Sequence, residues 1–503
     1  MSVIASCPLR TPTLAHRLSL QNQQPKRRIS NYLSDVLRTG SLNPSNPILE
    51  TFETIYPKKT EQADETEASA SETTTTTTAK SFHNRIPHFS VWQPHHLLDA
   101  APKLENQYSD DVASFKAKLS DTSSTHSLKE IVSDWDRIHS PIKYVHNASF
   151  VLGLLSDASL HKDWKIALGE ISKTLPNPMN EALLDQYEDK EILSLFYASL
   201  KEGMEKLDSN TNSNEDWMWA ALHWKNVIRK RTGLGLTPDQ RETFHTNLDA
   251  MDALEGRMVA HSNPSKEQLG QLLSDGYSIL DLRKQNAKLL GYKDFVEQTL
   301  DSRMAKNAGE IQSLHETIAD RVLPVVETVP YDPFDPQFFK PGEIHNVTFD
   351  GALTALSKLV YNLFGVEIRK EDQPKERDLA VWNKDVWLLH LIDHENKEED
   401  GEPSYLGSIF LDPFKRPAKL RRSFLAPLVD RGFMNEPLVA ISLEISPPVW
   451  DDQPAEMQWE DTETLWHEFG HALQTILAKS SLGRVCGGHN LPLDMSEVMP
   501  KVS

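Results

Sequence analysis

Near its C-terminal end the chain reads Trp466-His467-Glu468-Phe469-Gly470-His471-Ala472-Leu473. This stretch constrains the fold more than any other. His467 and His471 stand four apart, so on a helix they leave one face on consecutive turns. Two imidazoles so placed can hold one zinc ion, with nitrogen–zinc bonds of about 2.0–2.1 Å. Glu468 follows the first His and is placed to take a proton from a metal-bound water. The flanks agree with a helix. Leu465, Phe469, Leu473, Ile476 and Leu477 recur at helical spacing. Glu460, Asp461 and Glu463 put negative charge at its start, where the helix dipole favours it. Gly483 is the expected stop.

A catalytic zinc needs a third protein ligand and an open fourth position. In the metzincin pattern that ligand is a His six residues after the second one, with a Gly three after it. Those places hold Leu477 and Gln474, so the pattern is excluded. A glutamate from a following helix is the ordinary alternative. Glu497, in Leu493-Asp494-Met495-Ser496-Glu497, lies far enough downstream for a loop and a return. Asp494 is a candidate to orient a ligand imidazole by hydrogen bonding. Cys486 lies between the two and is read as a bystander.

The His467–Leu473 stretch together with Asp494 and Glu497 resembles the thimet oligopeptidase family of zinc metallopeptidases. The resemblance is to its oligopeptidase A-like branch, which includes organellar enzymes. It extends coarsely over residues 86–503. Ile86 to His96, Trp135 to Pro141, Gln285 to Tyr292, Ser302 to Ala305 and Ile409 to Phe414 are similar to segments of that branch. The resemblance implies His467, His471 and Glu497 as ligands of one Zn2+ per chain, with Glu468 as general base. It implies a mainly α, two-lobed, zincin-like fold with a small β-sheet beside the metal helix and a deep narrow channel. The implied reaction is internal cleavage of short unfolded oligopeptides, with organellar targeting-peptide fragments among the candidates. The sequence also departs from the family: Met499 stands where a Pro is usual, and Ser503 is the last residue. Family members continue for about 150–200 residues, a domain's worth. The expectation is therefore a C-terminally incomplete catalytic domain, poorly stable and weakly active or inactive. The competing reading is an inactive homologue that binds peptides as a scaffold. An aminopeptidase is disfavoured, because no convincing motif for a free amine is present.

The chain has 503 residues and a net charge of −20, which argues against nucleic acid or an anionic membrane as partner. Two cysteines, Cys7 and Cys486, make no disulfide framework and fit a reducing compartment. No apolar run approaches the roughly 18 residues of a membrane span. Short peptides are the expected partners, and a monomer the expected state. The first residues carry Arg10, Arg17, Lys26, Arg27, Arg28 and Arg38 against Asp35 and Glu50. Residues 1–59 thus read as a transit peptide or basic tail, implying a mitochondrion or chloroplast, with the cytoplasm as the alternative. Residues 60–85, acidic and then Thr-rich through Thr73–Thr78, read as a disordered linker. Residues 86–250 are expected to form an N-terminal helical domain and 251–503 the catalytic domain.

Phe244, Leu248, Met251, Leu254 and Met258 make an amphipathic core stripe. His95 and His96 read as a water-facing pair at a helix start. Between 380 and 445 the period becomes that of strands. Val386–Ile392 and Tyr405–Leu411 flank an acidic turn as a hairpin, and Leu438–Ile445 gives a third strand. A peptide would add to the exposed edge of such a sheet. Arg416, Lys419, Arg421 and Arg422 read as a solvated basic loop.

Overall fold

The computed structural model describes residues 46–50, 86, 89–121, 126–155, 158–173, 175, 190–206, 216–259, 266–328, 347–371, 381–397, 401, 403–417, 419–431, 436–450, 453–480, 482–483, 492–498 and 500. Most of the expected leader and the whole expected linker lie outside these residues, as do Cys7, Cys486 and Met499. Residues 46–50 lie inside the expected tail. They make a helical turn in which Ile48 is fully buried and the Asn46 amide donates to His96 O at 2.7 Å.

Nine helices among the described residues precede the sheet: α1 (Pro94–Ser120), α2 (Leu128–Leu155), α3 (Ala158–Ile171), α4 (Lys190–Glu205), α5 (Asp216–Thr232), α6 (Pro238–Val259), α7 (Lys266–Leu289), α8 (Phe295–Leu300) and α9 (Ala308–Thr328). Pro94 opens α1, where its missing N–H costs nothing. His96 is buried there, and its Nδ1 accepts from Gln93 N at 3.1 Å. The expected water-facing pair is thus half wrong, since His96 caps the helix from inside. A reciprocal Ser127–Glu130 box starts α2. From Ile142 onward α2 is buried nearly all round, because helices enclose it on one side and the sheet on the other. Trp135 is the centre of that core, stacked on Phe196 at 4.2 Å and edge-on to Trp224 at 5.5 Å.

The boundary expected at 250/251 falls inside α6. Phe244, Met251 and Leu254 of the expected stripe are buried, Leu248 is half-buried and Met258 is exposed. α6 pairs with α7 through the buried Asn247–Asn286 amides, 2.8 Å apart, and the Arg257–Asp275 fork.

After β1 (Val347–Thr348) and α10 (Phe349–Phe364) come β2 (Val366–Lys370), β3 (Trp387–Lys397), β4 (Pro403–Phe414), β5 (Phe424–Val429), β6 (Leu438–Ile445), β7 (Glu456–Met457) and α11 (Trp459–Ile476). β1 and β7 pair with each other, and the other five form one sheet in the order β2-β3-β4-β6-β5. Only β4 and β6 run parallel. The expected hairpin and third strand are present. β2 and β5 were not foreseen, and both are edges. β5 carries Pro427, which reads against a strand but is tolerated on an edge.

The sheet is buried on both faces, following the two-residue alternation of strands. Leu388, Phe410, Ala426, Leu428, Leu438 and Ala440 belong to the core of the N-terminal helices. Leu389, Leu391, Ile409, Leu411, Val439 and Ile441 join a second core with α10 and α11. The molecule is therefore mainly helical with a small mixed sheet, and that sheet is shared between the helices before it and those beside the His467–His471 stretch. At Gly407 an added Cβ would lie 2.6 Å from Pro437 O and 3.2 Å from Ile476, so the bare backbone lets α11 close on β4. No helix among the described residues is long and apolar enough to cross a membrane.

The basic loop is also a correction. Arg421 and Arg422 are exposed, but Lys419 is buried, with its Nζ donating to Asp412 Oδ1 (3.0 Å), Asp412 O (2.9 Å), Phe414 O (3.0 Å) and Leu443 O (2.6 Å). Arg416 also pairs with Asp412 and donates to Leu155 O, while Leu420 N donates to Leu154 O. The loop thereby caps the carbonyl end of α2 and locks it to the sheet. Burial lowers the Lys419 pKa, and the Asp412 charge opposes that. Removing one member of a buried pair typically costs about 3–5 kcal/mol, because the other charge is stranded. Asp412→Ala is expected to lose about that much stability in urea titration, whereas Arg421→Ala should change it by less than about 0.5 kcal/mol.

Candidate metal centre

α11 starts at a capping box: Asp461 accepts from Gln458 N at 3.1 Å, and Glu460 and Asp461 fill the first turn. Leu465, Phe469, Ala472, Leu473 and Ile476 are buried against the sheet. That apolar face sets the rotation of the helix. His467 and His471 consequently leave it on a half-buried side, with side chains 33% and 19% exposed. Their rings meet edge-to-face at 4.9 Å. The helix ends at Ile476, not at Gly483. Arg431, from the segment after β5, donates to Ile476 O and Leu406 O at 3.0 Å each, satisfying a terminal carbonyl by a tertiary contact. Gly483 instead donates its N–H to Asp136 Oδ2 of α2 at 3.0 Å.

Residues 492–498 form successive turns, with Met495 N and Ser496 N on Pro492 O and Val498 N on Met495 O. They bring Glu497 back to α11. Glu497 Oε2 lies 3.3 Å from His467 Nε2 and 3.7 Å from His471 Nε2. One donor atom from each of the three residues lies within 4.8 Å of the others. Ligands of a tetrahedral ion with bonds of about 2.05 Å stand about 3.3 Å apart. The donor set, two imidazoles and a carboxylate, and its spacing both fit zinc.

Glu468 sits beside this cluster. Its carboxyl is pushed up to about 7, first by burial and then by the neighbouring Glu497 charge. The backbone N–H of Leu425 in β5 and the Arg422 charge pull the other way. His471 is held below the usual imidazole value by burial, against the upward pull of Glu497. Among the described residues, the hydrogen bonds of the Asp494 side chain go to backbone N–H groups. Its carboxylate accepts from Met304 N (3.1 and 2.9 Å) and Ala305 N (3.1 Å), in the turn between α8 and α9. The contribution of β5 was missed. Its signal was the apolar Phe424-Leu425-Ala426, masked by Pro427.

Residues 277–502 match the sequence model of peptidase family M3. That part of the chain is similar to the peptidases of this family. It is 26% identical over 258 residues to organellar oligopeptidase A, chloroplastic/mitochondrial, of Arabidopsis thaliana, covering 44% of this chain and 31% of that one. It is 26% identical over 266 residues to the probable cytosolic oligopeptidase A of the same plant, covering 44% and 35%. To oligopeptidase A of Escherichia coli K12 it is 20% identical over 505 residues, covering 82% and 72%. The match thus spans about a third of the length of the two plant relatives.

The raised Glu468 pKa has a consequence for stability. Without metal the folded state keeps a proton up to about pH 7 that the unfolded chain releases near its ordinary 4.5. The stabilisation is full below 4.5 and is lost as pH rises through 7. Glu468→Gln, neutral throughout, is expected to match wild type at pH 4. At pH 8 it should exceed it by up to about 3 kcal/mol. Denaturant unfolding in excess chelator at the two pH values measures this.

Proposed function

We propose that the chain is a zinc-dependent endopeptidase acting on short unfolded oligopeptides. The observation that carries this reading is the convergence of His467, His471 and Glu497 at ligand spacing beside a half-buried Glu468. The three would hold zinc, which when bound polarises a scissile carbonyl and acidifies a water molecule. Glu468 takes the proton from that water and hands it to the leaving amine. Its carboxyl, near 7 in the metal-free chain, is suited to both directions of transfer. β5 is an edge strand whose Leu425 already donates to Glu468. An extended substrate aligned on this edge by backbone hydrogen bonds would present its peptide bond to Glu468.

The names of the relatives support peptide substrates and, in one case, an organelle; another is named as cytosolic. With the basic composition of residues 1–59, organellar targeting-peptide fragments are the proposed substrates and a mitochondrion or chloroplast the proposed site of action.

The test is cleavage of a quenched-fluorescent oligopeptide by the full chain supplied with zinc. Glu468→Gln should lower kcat by at least about 100-fold while zinc stays bound, and His471→Ala should lose the zinc itself. Equal turnover by wild type and Glu468→Gln would overturn the assignment of the base. Wild type that binds zinc and peptide without turnover would instead establish a peptide-binding homologue.

A further inference from the structure

Glu497 differs from the other two members of the cluster in how it is held. His467 and His471 ride on a helix of 18 residues packed against the sheet. Glu497 is half-exposed, on a short run of turns. Hydrogen bonds within that run set its local shape but not its distance from α11. Among the described residues, the hydrogen bonds that tie the run to another part of the chain are those of Asp494. Both carboxylate oxygens meet Met304 N, and Oδ2 also meets Ala305 N, 190 and 189 residues away in sequence.

The receiving turn is itself clamped on both sides. Asp301 pairs with Lys230 of α5 at 3.0 Å and accepts from the Tyr292 hydroxyl at 2.8 Å. Arg303 N closes on Leu300 O at 2.9 Å. On the other side α9 begins with Glu310 N on Asn307 Oδ1 (3.0 Å), while the Glu310 carboxylate accepts from Lys306 N (2.8 Å) and from Asn307 Nδ2 (3.1 Å). Two consecutive backbone N–H groups on a fixed turn make a directional seat for a carboxylate.

We infer that Asp494 is a positioning residue: it latches the Glu497 segment onto the α8–α9 turn, and so makes metal affinity depend on that turn. The inference rests on the proposed metal site and goes beyond it. The helices that end at this turn and the metal cluster become linked, since anything that fixes one steadies the other.

The experiment uses the full chain and two readouts other than turnover. Zinc affinity is measured by competition with a chromophoric chelator for wild type, Asp494→Ala and Asp494→Asn. Amide hydrogen exchange at Met304 and Ala305 is followed with and without zinc. Asp494→Ala is expected to weaken zinc binding about 10–100-fold, and Asn, which keeps an acceptor oxygen, by less. In wild type, zinc should slow exchange at Met304 and Ala305, and in Asp494→Ala it should not. A merely structural Asp494 would not transmit zinc binding to those amides. Should Asp494→Ala fold poorly by near-ultraviolet circular dichroism, the wild-type exchange comparison and Asp494→Asn decide alone. Wild-type zinc binding that leaves both amides unchanged, or that Asp494→Ala does not weaken, overturns the latch alone. No zinc binding by wild type overturns the latch and the metal reading together.

Discussion

The packing of α11 against the sheet is the contact on which everything at the site depends. Leu465, Phe469, Ala472, Leu473 and Ile476 leave the helix one rotation in which its apolar face is dry. That burial is worth roughly 1.5–3 kcal/mol for each large side chain, far more than any rotation of two histidines could recover. The imidazoles are therefore aimed by hydrophobic packing on the opposite side of the helix. Gly407 matters for the same reason, because it lets the helix end approach β4. Arg431 completes the seat by capping the last turn.

The sheet in turn needs the helices before it. Its second face is part of the core around Trp135, and the Asp412–Arg416–Lys419 knot fastens α2 to the β4–β5 connection. A buried ion group of this kind is weak evidence for extra stability, but it is strongly directional. Here it fixes where β5 lies. β5 carries the Leu425 N–H that meets Glu468 and forms the edge beside the cluster. The N-terminal helices thus bear on Glu468 through this strand. A division of the chain at residue 250 would cut α6 and obscure that dependence.

The cluster gathers from two very different supports. His467, Glu468 and His471 share one well-packed helix, whereas Glu497 arrives on turns held from outside by the α8–α9 turn. Metal centres commonly rely on groups beyond the ligands to set ligand position. In this chain the Asp494 carboxylate, three residues before Glu497, meets backbone N–H groups of a distant turn.

Much was legible without coordinates, because it is local. The helix of the His467–His471 stretch, the spacing of those two residues, the Glu468 beside them and the strands at Trp387–Lys397, Pro403–Phe414 and Leu438–Ile445 follow from periodicities of 3.6 and 2. What sequence could not supply is long-range. β5 hides behind Pro427, tolerable only because the strand is an edge. The end of α11 at Ile476 depends on an arginine from another segment. Lys419 looks like a surface charge until its four carbonyl and carboxylate partners are assembled around it. Asp494 carries no mark of its partner, since backbone N–H groups of Met304 and Ala305 leave no trace in residue identity. The sequence by itself determined which donors are present and which helix face they share. Only the tertiary structure decided where Glu497 stands, what Asp494 holds and which strand edge faces the cluster. Those depend on backbone groups and burial, which residue types do not encode one position at a time.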